Sequence, residues 1–216
     1  MTPNGTAIFL RKRACTLGVL SMLLAGAGAA PAAMAADDAS GFIAGLGRNA
    51  IAIMKDPGLS TADRQGRFRA LMAEDFDLPK IAAYVLGSYW QTANESERQQ
   101  FTTVFGDYMA GIYSIRFGEY SAQSFRVTTQ VARSETTTVV GSEIIRATTG
   151  EEIDLEWIVA KVAGGYKVID ITAGGMSLSQ AQREEFSSVV HRNGDSLPNL
   201  IGQLRTKSTE LAAARH

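Results

Sequence analysis

The chain is poor in the residues that build reactive centres. Its 216 residues include one cysteine, Cys15, and two histidines, His191 and His216. Beyond residue 35 there is no thiol, which excludes disulfides, thiol catalysis and cysteine-based metal sites from that part of the chain. Two imidazoles are a thin basis for a metal enzyme, and no cofactor is expected. Charge of one sign is also lacking, with 21 Lys and Arg against 22 Asp and Glu. Nucleic acid asks for a basic face, so none is expected as a partner. Nor is there an apolar run of the roughly 20 residues that a membrane helix needs.

The closest approach to such a run is near the start. Arg11, Lys12 and Arg13 precede a charge-free stretch from Ala14 to Ala30, whose apolar part holds Leu17, Val19, Leu20, Met22, Leu23 and Leu24. The stretch loosens into Ala and Gly, and Ala33-Met34-Ala35 offers small residues where a signal peptidase reads them. This order is that of a secretory signal peptide. Residues 1–35 are therefore expected to be removed, leaving 36–216 as one exported, periplasmic domain. Cys15 lies before the apolar run, not after it as a lipoprotein cysteine would. Loss of the leader takes the formal charge from −1 to −4.

The chain beyond the leader reads first as helices. Phe42, Ile43, Leu46, Ala50, Ile53 and Met54 keep helical spacing up to Asp56-Pro57-Gly58. Ser60 with Asp63 resembles a capping box for a helix carrying Phe68, Leu71 and Met72. Leu78-Pro79 opens another, with Ile81, Ala82, Val85 and Leu86 inward as far as Gly87. Asn94-Glu95-Ser96-Glu97 starts a long helix whose apolar face holds Phe101, Phe105, Tyr108, Met109, Ile112, Tyr113 and Phe117.

After Tyr120 the period becomes two. Phe125 to Val131, Thr138 to Ala147, Ile153 to Val159 and Tyr166 to Thr172 read as four strands, with Gly164-Gly165 as a hairpin turn and Gly174-Gly175 ending the sheet. Two helices close the chain, from Ser179 to about His191 and from Pro198 to about Ala213. The expected class is α+β: N-terminal helices, a curved four-stranded antiparallel sheet and C-terminal helices, arranged as a cone around an apolar pocket.

Several strings in this order resemble the MlaC family, from about Phe68 to Leu204. They are Phe76-Asp77, Val85-Leu86-Gly87-Ser88-Tyr89-Trp90, Glu97-Arg98-Gln99-Gln100-Phe101, Arg116-Phe117-Gly118-Glu119-Tyr120-Ser121 and Leu155-Glu156-Trp157. Tyr166-Lys167-Val168-Ile169-Asp170, Gly175-Met176-Ser177-Leu178 and Arg183-Glu184-Glu185-Phe186 complete the set. The family is that of the periplasmic component of the Mla lipid-transport system, and includes toluene-tolerance and hopanoid-associated auxiliary proteins. The resemblance implies a fold like nuclear transport factor 2 and the cystatins, with phospholipid acyl chains held between sheet and helices. It implies two partners, an outer-membrane lipoprotein complex and an inner-membrane ABC transporter complex with MCE domains. Gly174-Gly175-Met176 departs from the acidic residue, Gly and Val expected there. The Tyr120-Ser121 and Phe125-Arg126-Val127 wording is closer to the hopanoid-associated branch, which makes a polycyclic lipid the alternative cargo.

An acyl chain gains about 0.8 kcal/mol per buried methylene, or roughly 13 kcal/mol for about sixteen carbons. A dry, shaped cavity captures that without any catalytic group. The residues expected to line it are Leu71, Val85, Phe105, Tyr108, Met109, Ile112, Tyr113, Ile144, Leu155, Trp157, Val159 and Val168. The same side chains serve equally well to fill an ordinary core. A second function class stays open: a small isomerase- or dehydratase-like enzyme using Asp170, facing inward beside Tyr166, as base. The competing role for Asp170 is to hydrogen-bond the backbone of the Gly174-Gly175 bend. Arg98, Arg116, Arg126 and Arg133 are either contacts for anionic headgroups and partner proteins or solvated surface charge.

Overall fold

The computed structural model describes residues 38–213, apart from 121, 147, 148, 193 and 195, and leaves aside the side chains of 116–120, 122 and 123. The leader, its cleavage site and His216 lie outside the described residues, as do the side chains of Arg116 and Phe117.

The helices begin where side chains can take up the first free backbone N–H groups. Asp38 accepts from Gly41 N at 2.6 Å and starts α1, Ala39–Lys55. Ser60 accepts from Asp63 N and opens α2, Thr61–Asp75. Asp77 accepts from Lys80 N at the head of α3, Leu78–Leu86. A short α4, Ser88–Thr92, comes after Gly87. Glu97 N donates to Asn94 Oδ1 at 3.0 Å and Asn94 N to Glu97 Oε2 at 2.9 Å, a reciprocal cap for α5, Glu95–Tyr120.

The sheet is an antiparallel meander of β1 Ala122–Ala132, β2 Thr137–Arg146, β3 Glu152–Val162, β4 Gly165–Ala173 and β5 Met176–Ser177, in that spatial order. Register shifts in β1 and between Ile158 and Val159 of β3 mark irregularities of the kind that bend strands. The expected four strands are thus five. Gly174 and Gly175, at φ +57° and +79°, do not end the sheet; they form a two-residue hairpin that returns Ser177 opposite Thr172. Leu178 then starts α6, Leu178–Arg192, and α7 runs Leu197–Ala213.

Hydrophobic burial is divided between two clusters. The helical one gathers Phe68 and Met72 of α2, α3, the inner face of α5, and α6 and α7 around Phe101 and Phe186. Phe101 and Phe105 stack at 5.7 Å, and Phe186 meets both edge-on at 6.2 Å. The second cluster joins the inner face of the sheet to α1 through Ile43, Leu46, Val140, Trp157, Val159 and Val168. Helix α1 lies close on β1: a Cβ on Gly47 would stand 2.3 Å from the ring of Phe125. Helix α2 serves both clusters, with Leu71 in the sheet cluster and Phe68 and Met72 in the other.

Candidate functional site: an apolar cleft between helices and sheet

Among the described residues, Phe76 is the partly buried hydrophobic that packs against both clusters. Its backbone bridges to Val168 of β4, and Asp77 N donates to Val168 O at 2.9 Å, so the α2–α3 junction is pinned to the sheet. Lys167 Nζ reinforces the pin by donating to Glu74 O.

Beside this junction lies a cleft of about 50 Å³. Met72, Phe76, Leu78 and Ile81 form one wall, Phe105, Met109 and Tyr113 of α5 a second, and Ile171 and Leu178 a third. Asp170, Ser179 and Gln182 supply its polar edge. A larger recess of about 660 Å³ lies between α2, α5 and α7, but small and polar side chains dominate it, including Gln65, Arg69, Gln99, Asp107, Arg205 and Ser208. There Arg69 pairs with Asp107, whose carboxyl is nonetheless raised above its usual value because burial outweighs the guanidinium.

Of the twelve residues expected to line a pocket, Phe105, Met109 and Tyr113 border the cleft. Val85 is fully buried in the helical cluster and Tyr108 is half-buried against it. Leu71, Ile144, Leu155, Trp157, Val159 and Val168 belong to the sheet cluster, while Ile112 is half-buried outside both. Sequence reasoning did not assign Phe76, Leu78, Ile81 or Leu178 to the site. One signal for them was present: Phe76 and Ile81 occupy the positions before and after the α3 cap that a hydrophobic staple pairs.

Asp170 lines the cleft, but its carboxylate is occupied. Oδ1 accepts from Ile171 N at 2.8 Å and Ser179 N at 3.1 Å, and Oδ2 accepts from Ser177 Oγ at 2.6 Å. These bonds hold the β4–β5–α6 corner together, just past the Gly174-Gly175 bend. Tyr166 is engaged elsewhere, against Phe42 at 6.0 Å. Arg98 donates to Trp90 O and lies over its ring, Arg126 pairs with Glu143, and Arg133 is exposed. Among the described residues, no three His, Asp or Glu side chains gather as metal ligands, and no helix is long and apolar enough to cross a membrane.

Helices on one face of an antiparallel meander, with an apolar cleft at their seam, define an α+β fold. The MlaC protein family matches residues 46–206, and the chain belongs to that family. Its fold is similar to that of the phospholipid-binding protein from Ralstonia solanacearum, solved in complex with a phospholipid. The TM-score is 0.69 at 23% sequence identity, over 81% of this chain and 99% of the other.

Proposed function

We propose that this protein is a periplasmic lipid carrier. It holds phospholipid acyl chains between its two hydrophobic clusters and shuttles the lipid between an outer-membrane complex and an inner-membrane ABC transporter with MCE domains. The observation that carries this reading is the apolar cleft at the seam of the clusters. Membership of the MlaC family supports it, and so does the phospholipid bound by the Ralstonia solanacearum protein.

The cleft's 50 Å³ is well below the roughly 300–1,000 Å³ of sites that hold small molecules. Loading therefore requires the walls to part. A permanently open 500 Å³ cavity would cost about 12 kcal/mol at ~24 cal/mol per Å³, as much as a domain's whole stability. Phe105, Met109 and Tyr113 line one wall of the cleft, and Leu71, Trp157 and Val168 become the inner wall as the seam widens. The arrangement of Asp170 favours binding over catalysis, since each of its oxygens already holds the corner.

Mass spectrometry of what co-purifies with the protein from its native periplasm tests the proposal. Stoichiometric phospholipid is expected. A polycyclic lipid in its place would reassign the cargo. No lipid, together with failure to take any up from vesicles, would overturn the carrier reading.

A further inference from the structure

The cleft is apolar except at one edge, and that edge has a definite chemical character. Among the described residues, none of its lining side chains is Lys, Arg or His. Asp170, Ser179 and Gln182 supply the polarity, and the oxygens of Asp170 are engaged by Ile171, Ser177 and Ser179. Gln182 differs from Asp170. Its side-chain carbonyl Oε1 is buried with no hydrogen-bond partner among the described residues. A buried acceptor left unpaired is unfavourable, and a ligand group that donates to it relieves the penalty. A phosphate, which only accepts and carries negative charge, cannot satisfy Gln182 Oε1 and is repelled by the Asp170 carboxylate beside it.

We infer that Gln182 is a specificity-determining residue, whose Oε1 accepts a hydrogen bond from a hydroxyl or N–H at the polar end of the bound lipid. The favoured cargo is then a lipid with a donor next to its chain, such as a lysophospholipid with a free glycerol hydroxyl or a long-chain alcohol. Charged phosphate stays outside the cleft. The assignment rests on the lipid-binding reading above and adds to it the chemistry at the mouth.

The test compares two single-chain probes, 1-hexadecanol and methyl hexadecyl ether, which differ in one O–H donor. Each is offered in radiolabelled form from phosphatidylcholine vesicles, and the amount retained by the purified protein is measured. The wild type is expected to prefer the alcohol by about tenfold, the upper range for one net hydrogen bond. In Gln182→Met the preference disappears because the alcohol loses affinity while the ether keeps its own. Gln182→Glu, which retains an acceptor, keeps the preference, and thermal midpoints show that both variants are folded. Equal retention of the two probes by the wild type, or a preference that survives in Gln182→Met, overturns the assignment while leaving lipid binding intact. If neither probe nor any phospholipid is retained, the carrier reading fails and the assignment fails with it.

Discussion

The indole Nε1 of Trp157 donates a 2.8 Å hydrogen bond to Ser142 Oγ, a pairing buried between β2 and β3. It lets an amphipathic side chain sit in the sheet cluster without an orphaned N–H. Ser142→Ala leaves that donor unpaired and is expected to cost about 2 kcal/mol, lowering Tm by roughly 4–8 °C. Combining it with Trp157→Phe should cost less than the two single changes together, because both partners are then gone. Urea melts of the three variants measure this.

Gly47 is required by the ring beside it. A Gly→Ala change inside a helix ordinarily stabilises by up to about 1 kcal/mol. Here the new Cβ would meet the Phe125 ring at 2.3 Å, so Gly47→Ala is expected to destabilise by about 1–3 kcal/mol. In a Phe125→Ala background the same change should become neutral or favourable. That reversal of sign, read from denaturant midpoints, identifies the contact.

Asp170→Asn keeps one acceptor oxygen and loses the bond accepted from Ser177. Stability should fall by about 1–2 kcal/mol, and lipid stoichiometry in native mass spectrometry should stay unchanged. Loss of a chemical turnover in a variant that still binds lipid would return Asp170 to the role of base.

Leu178→Asp places a carboxylate on the apolar wall of the cleft. Uptake of phospholipid from vesicles is expected to fall at least about tenfold, since a charge in a dry site is costly unless paired. Val131→Asp, at an exposed position of β1, serves as the control and should leave uptake alone.

Asp107 predicts a pH dependence of stability. Its carboxyl is raised by burial, with Arg69 pulling the other way, and Asp75 is raised by burial and by Glu74, opposed by Lys167. A raised carboxyl contributes stability below its unfolded value near 3.8 and loses it as pH climbs through the folded value. Asp107→Asn cannot ionise, so it should be more stable than the wild type at neutral pH. The gap should close as pH falls toward the ordinary carboxylate range. Thermal melts across that range check the sign.

Local chemistry made much of the fold legible. The Ser60–Asp63 and Asn94–Glu97 caps lie within four residues and depend on nothing distant, and the period-two runs found β1 to β4 at nearly their observed limits. β5 was missed because a glycine pair reads as a stop, while its backbone angles make a turn. Helix α4 is too short to carry a period. The site was legible only in part for a different reason. Periodicity tells that Val85, Leu155 and Met109 all face inward, but not which of two clusters each one joins. That depends on the α2–α3 junction, where Phe76 meets Val168 across 91 intervening residues.

The division of the core has a kinetic consequence. Two apolar groups joined through α1, α2 and Phe76 leave a seam at which an opening need not melt either group. Such a breach is a local opening, and amide exchange places events of this kind well below the free energy of global unfolding. Under the proposed carrier function, release of a lipid would run on the clock of that opening and not on the far slower one of denaturation. A fold divided in this way can be stable as a whole and still open quickly at its seam.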